Sequence, residues 1–218
     1  MLKGIIFDMD GVLVNNMHVH IEAFDIFCRR YGVTGWQEKI AGSIGMGNDD
    51  IMRLVLPAEI LGRKTLREWG AEKESVYREI YAPTIKPFTG LVALLEAAAA
   101  AGLKCAVGSS GCTENVNFVL DKCGIARFFA ARVSGDDVTR CKPDPEIYLT
   151  AARKLGFEPS ECLVFEDAKA GIEAARNAGM KVVALTTTSP RAAVEAMNPD
   201  RIIDDFTQIS VEELQRMF

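Results

Sequence analysis

Asp8 and Asp10 stand one residue apart at the end of the apolar run from Leu2 to Phe7. In a strand, side chains at i and i+2 point the same way. Both carboxylates would therefore face one spot beyond the strand's carboxyl end, which is where open parallel sheets bind ligands. Two acids held this close repel each other unless a cation, a shared proton or a division of tasks relieves the strain. The pair suggests a divalent metal, with one carboxylate as nucleophile and the other as acid/base. The bare D-x-D-G tetrapeptide equally suits a polar strand end followed by a turn at Gly11, so the decision falls to the rest of the chain.

Two further apolar, strand-like runs end in groups suited to a phosphate and a metal. Lys104 to Gly108 leads into Ser109-Ser110-Gly111, a hydroxyl and a string of backbone N–H groups near the start of a helix, which makes a natural anion cradle. Cys162 to Phe165 leads into a second carboxylate pair, Glu166-Asp167. Between them Lys142 sits beside Pro143 and close to Pro145, which stiffen the chain. Four acids, a hydroxyl cradle and a fixed cation are the components of metal-assisted phosphoryl transfer.

In this order D-x-D-G, S-S-G, K-P and E-D-x-x-A-G resemble the haloacid dehalogenase superfamily of aspartate-nucleophile phosphotransferases. The likeness is to the branch with a small helical cap inserted after the first motif, which contains sugar-phosphate phosphatases and β-phosphoglucomutase, and it covers essentially the whole chain. The resemblance implies that Asp8 attacks phosphorus to give an aspartyl-phosphate, and that Asp10 protonates the leaving oxygen and later deprotonates the attacking water. It implies Mg²⁺ held by the Asp8 carboxylate, the Asp10 backbone carbonyl and Asp167, with Glu166 either on the metal or just behind it. Such an oxygen-rich, thiolate-free site favours Mg²⁺ over Zn²⁺. Ser109 and Lys142 would hold the phosphoryl oxygens, and Ser110 and Gly111 would add backbone N–H groups.

Each role has an alternative. Glu166 could cap the following helix or pair with a base, Ser110 could be only a turn residue, and Lys142 could lie on the surface. His20 falls on the first cap helix, where the family often has a histidine that contacts the core site; a helical histidine satisfied by its own neighbours is the other reading. His18, two residues away, cannot share that face and is taken as structural. Gly42, Gly45 and Gly47, followed by Asn48-Asp49-Asp50, make no dinucleotide fingerprint, but in related capped enzymes this loop reaches the substrate. Lys39 and Arg53 are nearby cations that could meet a second anionic group. Two positions depart from the family pattern: Asn15-Asn16 replace an acid and a hydroxyl residue after D-G-V-L, and Ala168 replaces a serine or threonine after the acid pair.

The activity implied is that of a Mg²⁺-dependent phosphatase of small phosphorylated metabolites, sugar phosphates foremost. A β-phosphoglucomutase-like phosphomutase shares the four motifs and is the alternative. A non-catalytic phosphometabolite sensor is a third reading, against which the presence of Asp8, Asp10 and Asp167 counts.

The elements that must position these groups follow from hydrophobic periodicity. Apolar spacing predicts helices over Met17 to Arg30, Asp49 to Leu56 and Lys64 to Tyr81, with no convincing strand before Pro83. From Phe88 strand and helix patterns alternate: helix from Leu91, strand from Lys104, helix from Thr113, a short strand near Arg132 to Ser134, helix from Pro145, strand from Cys162, helix from Ala168, strand from Lys181. The fold class expected is α/β, a Rossmann-like parallel sheet with helices on both faces, formed by residues 1–14 and 87–218, with an inserted helical cap over 15–86. Asp144-Pro145 and Ser189-Pro190 read as helix starts with proline at the first helical position, and Ser210 with Glu213 as a capping box.

Composition agrees. The chain has 218 residues, 49% hydrophobic and 25% charged, and its 25 basic and 30 acidic side chains give a net charge of −5, with no basic surplus for nucleic acid or an anionic membrane. Six scattered cysteines without a C-x-x-C pair read as reduced cytosolic thiols. The N-terminus reaches Asp8 before a signal-peptide core could form, and the longest apolar stretch, Gly90 to Gly102, is broken by Glu96 and too short to span a bilayer. The expectation is a cytoplasmic monomer or weak dimer whose partner is a small phosphorylated metabolite.

Overall fold

The computed structural model describes residues 1–40 and 47–218. In chain order the elements are β1 (Gly4–Phe7), α1 (Met17–Arg30), α2 (Trp36–Ile40), α3 (Asn48–Val55), α4 (Ala58–Leu61), α5 (Leu66–Tyr81), α6 (Leu91–Ala100), β2 (Lys104–Gly108), α7 (Thr113–Lys122), β3 (Phe129–Val133), α8 (Glu146–Leu155), β4 (Cys162–Glu166), α9 (Lys169–Asn177), β5 (Lys181–Leu185), α10 (Arg191–Ala196), β6 (Arg201–Ile203) and α11 (Val211–Arg216). They divide into two compact units, Met1–Asn15 with Lys86–Phe218, and Asn16–Ile85.

The first unit is a six-stranded, wholly parallel sheet in the order β3-β2-β1-β4-β5-β6. β1 lies near the middle, and all four of its residues are buried, as a strand covered on both faces requires. Alternation divides its side chains. Ile6 joins Ala106, Val164, Ile147, Ala151 and Ile172 in one core layer. On the opposite face Phe7 stacks on Phe165, centroids 5.0 Å apart, and Phe165 meets Phe206 edge-on at 5.1 Å. Burial of these side chains supplies the main drive for folding, about 1.5–3 kcal/mol for each large apolar side chain.

The second unit is helical. α1 turns Val19, Ala23, Phe24, Phe27 and Cys28 inward, and Phe27 meets Trp69 of α5 edge-on at 5.9 Å. Thr65 opens α5 with a capping box: its hydroxyl accepts from Glu68 N at 3.2 Å and its own N–H donates to Glu68 Oε2 at 2.8 Å.

Several boundaries differ from the sequence expectation. β3 begins at Phe129, upstream of Arg132, because the chain pairs with β2 as soon as it leaves the preceding turn. β6 was not anticipated; it is a three-residue edge strand with an exposed arginine, too short for alternation to show. Pro145 and Pro190 occupy the position before the first helical residue and not the first helical position itself. Asp144 still contributes, its Oδ1 accepting from Glu146 N at 3.0 Å. The Ser210–Glu213 box forms. All six cysteines are unbridged. Burial pushes the Cys28 and Cys162 thiols up to about 11 and that of Cys105 to about 12, so these are inert packing groups. Among the described residues no helix is long and apolar enough to cross a membrane.

Candidate active site

Adjacent strands β2, β1, β4 and β5 end side by side, and each carboxyl end is followed by polar residues: Ser109-Ser110-Gly111, Asp8 to Asp10, Asp167 after Glu166, and Thr186-Thr187-Thr188. The strand order reverses direction between β1 and β4, the switch point at which open α/β sheets form a crevice. Asp8 and Asp167 leave the sheet on either side of that point. The backbone then turns sharply, with Gly11 N donating to Val14 O at 2.9 Å and Leu13 N to Met9 O at 2.9 Å.

Lys142 is buried at this point, and its ammonium joins two strand ends. Nζ donates to Asp8 Oδ1 at 2.6 Å and to Glu166 Oε1 at 2.7 Å, and lies 4.7 Å from the centre of the Tyr148 ring. Burial alone would lower this ammonium, but Asp8 and Glu166 hold it above its ordinary value, so it stays charged. The surface reading of Lys142 is therefore excluded by its position. Glu166 is committed at both oxygens: Oε1 accepts from Lys142 and from Tyr148 OH at 2.8 Å, and Oε2 accepts from Asp167 N at 2.7 Å and Ala168 N at 2.9 Å. It thus both pairs with a base and ties the turn leading into α9. Gly171 permits this, since a methyl at that position would overlap the Glu166 carboxylate.

One oxygen from each of Asp8, Glu166 and Asp167 can be chosen so that all three lie within 4.8 Å of one another, and all three residues are buried. Burial, set against Lys142 and reinforced by Glu166 and Asp10, pushes the Asp8 carboxyl up to about 8. Burial first, then Glu166 and Asp8, push Asp167 well above the usual carboxylate range. These shifts mark negative charge that one ammonium does not neutralise. The donors are all oxygen, with no thiol or imidazole in the cluster, a set that fits a hard divalent cation such as Mg²⁺.

Ser109 is fully buried; its N–H donates to Val133 O at 3.0 Å, and its Oγ accepts from Gly111 N at 3.0 Å. Gly111 N–H thus already has a partner within the turn, and Thr113 N, at the start of α7, donates to Asp136 Oδ2 at 2.8 Å. Ser110 and Gly111 are half-buried. The Asp10 carboxylate faces this turn: a methyl on Gly111 would stand 3.7 Å from Asp10 Oδ2 and 3.2 Å from Ser109 Oγ. The acid/base candidate and the hydroxyl cradle therefore share one space.

The helical unit holds the remaining candidates. His20 lies 3.0 Å from Lys73 Nζ through Nδ1 and stacks on Tyr77 at 4.0 Å, while Lys73 pairs with Glu74 at 2.8 Å. His20 therefore has neighbours within its own unit, and His18 is exposed. Lys39 donates to Val55 O at 3.2 Å, and Arg53 pairs with Asp50 at 2.8 Å. Gly42 and Gly45 lie outside the described residues.

Three residues went unnoticed in the sequence. Tyr148 is a tyrosine on the apolar face of α8, and a buried hydroxyl there had to find a partner. Thr187 and Thr188 end an apolar strand in hydroxyls, the same signal that marked the other strand ends. Thr187 Oγ1 donates to Gly11 O at 2.6 Å, and Thr188 Oγ1 to Asp167 O at 3.1 Å.

Residues 5–185 match the family model described as haloacid dehalogenase-like hydrolase. The chain belongs to this family. It is 32% identical over 209 residues to validoxylamine A 7'-phosphate phosphatase of Streptomyces hygroscopicus subsp. limoneus, covering 96% of each chain. It is 30% identical over 182 residues to the fructose-1-phosphate phosphatase of Escherichia coli, covering 83% of this chain and 94% of the relative. The crystal structure of CbbY from Rhodobacter sphaeroides in complex with phosphate superposes with a TM-score of 0.87 at 24% identity, covering 99% of this chain and 100% of the other. As a haloacid dehalogenase-like hydrolase, the chain has relatives named as phosphatases and a sheet whose four adjacent strands end in polar residues about its switch point.

Proposed function

We propose that this chain is a Mg²⁺-dependent phosphoric monoester hydrolase of small phosphorylated metabolites, with sugar phosphates as the substrate class. The observation that carries the reading is the buried constellation of Asp8, Lys142, Glu166 and Asp167 at the sheet's switch point, with Asp10 and Ser109 sharing the adjacent space. The relatives named validoxylamine A 7'-phosphate phosphatase and fructose-1-phosphate phosphatase support the substrate class.

Asp8 attacks phosphorus while the bond to the leaving oxygen breaks, and Asp10 gives its proton to that oxygen. Asp10 then takes a proton from the water that attacks the aspartyl-phosphate, and inorganic phosphate leaves with Asp8 restored. Lys142 holds the Asp8 carboxylate in one orientation through Oδ1 and offers positive charge to the phosphoryl oxygens. Ser109 adds a hydroxyl. Asp8, Asp167 and the Asp10 carbonyl would hold Mg²⁺, with Glu166 keeping Lys142 in place behind them. The cation, when bound, neutralises charge on the transferring phosphoryl group. The helical unit is assigned the part of a cap over the substrate, with His20 and the Gly42 to Asp50 loop as its candidate contacts.

The test is to supply Mg²⁺ with fructose 1-phosphate or with β-glucose 1-phosphate plus a trace of glucose bisphosphate, following free phosphate and glucose 6-phosphate together. Phosphate release that disappears in Asp8→Asn supports the reading. Isomer formation with little phosphate would replace it with a mutase, and full turnover by Asp8→Asn would refute the nucleophile.

A further inference from the structure

We propose that Thr187 and Thr188, in the loop after β5, are positioning residues that staple the Asp167 loop to the Asp8–Gly11 turn and so preorganise the cation site. The inference rests on the metal reading above and adds a supporting layer to it. Thr187 Oγ1 donates to the carbonyl oxygen of Gly11 at 2.6 Å and stands 3.4 Å from Asp167 Oδ2. Thr188 Oγ1 donates to the main-chain oxygen of Asp167 at 3.1 Å. Two consecutive hydroxyls therefore join three strand ends: the turn after β1, the turn after β4 and the loop that carries them.

The contact at the centre of the staple is close. The Asp167 carboxylate passes over the Cα of Gly11, where a methyl would overlap Oδ2 and come within 3.0 Å of the Thr188 methyl. Gly11 has φ +82, a left-handed conformation that a side chain would strain. The Gly11 carbonyl held by Thr187 belongs to the Gly11–Val12 peptide, next after the Asp10–Gly11 peptide whose carbonyl is a proposed ligand. Clamping that peptide restricts the one before it. Ala168, next in sequence to Asp167, has no hydroxyl to offer, so the support comes from the neighbouring strand.

The energetic need is clear. Three buried carboxylates crowd one another, and Lys142 ties Asp8 only to Glu166, so the bonds to Gly11 O and Asp167 O add the restraint on the two ligand-bearing turns. Hydrogen bonds that hold ligands in place without touching the metal commonly account for about 10–100-fold of metal affinity. Thr186 supplies an internal control. Its hydroxyl donates to Asp204 Oδ1 at 2.6 Å, just past β6, and Asp204 is not part of the Asp8, Glu166 and Asp167 cluster.

The experiment is calorimetric titration of Mg²⁺ into the metal-free protein, with no substrate present. Thr187→Val and Thr188→Val keep the side-chain shape and lose the hydroxyl; each is expected to weaken Mg²⁺ binding about tenfold. Thr187→Ser is expected to restore wild-type binding, and Thr186→Val to leave it unchanged. Melting of each metal-free variant shows whether it is folded, and Thr187→Ala and Thr188→Ala, which also lack the hydroxyl, carry the comparison should a valine variant not fold. Wild-type affinity in both valine variants would overturn the staple while leaving the metal reading intact. Equal weakening in Thr186→Val would likewise overturn it, because the effect would then belong to the loop and not to the two hydroxyls. Failure of the wild-type protein to bind Mg²⁺ would overturn the metal reading and the staple with it.

Discussion

Lys142→Met separates the electrostatics of this site from its packing. Methionine keeps an unbranched chain of similar length, so the space beside Tyr148 stays filled, but the ammonium between Asp8 and Glu166 is gone. Its contacts are short, 2.6 and 2.7 Å, and its side chain is only 5% exposed. Removing one partner of a buried ion pair costs about 3–5 kcal/mol, because the charge left behind is uncompensated. For a chain of this size each kcal/mol shifts Tm by about 2–4 °C, so the metal-free variant should melt about 6–20 °C below wild type. Asp167→Asn should move the other way, raising the metal-free Tm, since it removes one of three mutually repelling carboxylates.

The pH dependence has a definite sign. The Asp8 carboxyl is raised from 3.8 to about 8, so between those values the folded metal-free protein keeps a proton that the unfolded chain has released. The resulting stabilisation is complete below the unfolded value and is lost as the pH rises toward about 8. Metal-free wild type should therefore lose stability from pH 5 to pH 8, and Lys142→Met should show its largest deficit at the alkaline end. Differential scanning fluorimetry in EDTA at pH 5, 6.5 and 8 measures both. A Lys142→Met Tm equal to wild type at pH 8, or a deficit that grows on acidification, would refute the reasoning.

Tyr148→Phe keeps the ring under Lys142 and removes the hydrogen bond to Glu166; a bond to a charged acceptor is worth about 1.5–3 kcal/mol, so chemical denaturation should show a loss of that size and steady-state kinetics a fall in kcat. Gly171→Ala should destabilise and inactivate, against the usual gain of about 0.5–1 kcal/mol for glycine to alanine inside a helix, because the added methyl overlaps Glu166. Gly62→Ala, whose nearest neighbour would be Ala58 O at 3.5 Å, supplies the control in the same melting assay. In the helical unit Glu72 accepts from Lys64 and Tyr31. Against the upward push of burial, these partners hold its carboxyl below the usual range. Glu72→Gln should lower Tm at pH 7, and the difference should shrink as the pH falls through the folded value, where Glu72 takes up its proton.

What the sequence disclosed depended on range. Asp8, Ser109, Glu166 and Asp167 each end an apolar run, and a strand's period carries its last polar residue to the sheet's edge, so strand ends could be read locally. Helix α1 was legible from end to end because its apolar spacing is unbroken. By contrast β6 is three residues at a half-exposed edge, and α2 and α4 are five and four residues long, all below the length at which a period can be seen. Tyr148 and the threonines escaped for another reason. Their partners lie far away along the chain, 18 residues for Tyr148 with Glu166 and 176 for Thr187 with Gly11, and no local pattern announces such a pairing. The ambiguity over Glu166 was of the same kind: a helix-turn anchor and a partner for lysine are distinguishable only once both oxygens are seen to be occupied.

The charge distribution links the cation to the substrate. Asp8, Glu166 and Asp167 are buried together, Asp10 faces the same space, and Lys142 answers only part of their charge. A phosphate monoester brings more negative charge to a site already in surplus. Ser109 cannot offset that with a neutral hydroxyl, and Gly111 N–H and Thr113 N–H are already engaged. Under the proposed reading these two N–H groups serve the turn, and phosphate recognition depends on the bound cation together with Lys142. Substrate affinity should then rise with Mg²⁺ and Mg²⁺ affinity with substrate by the same factor, as linkage requires. A protein that bound its phosphorylated substrate equally well in EDTA would contradict that account of the surplus acids, whatever its rate of turnover.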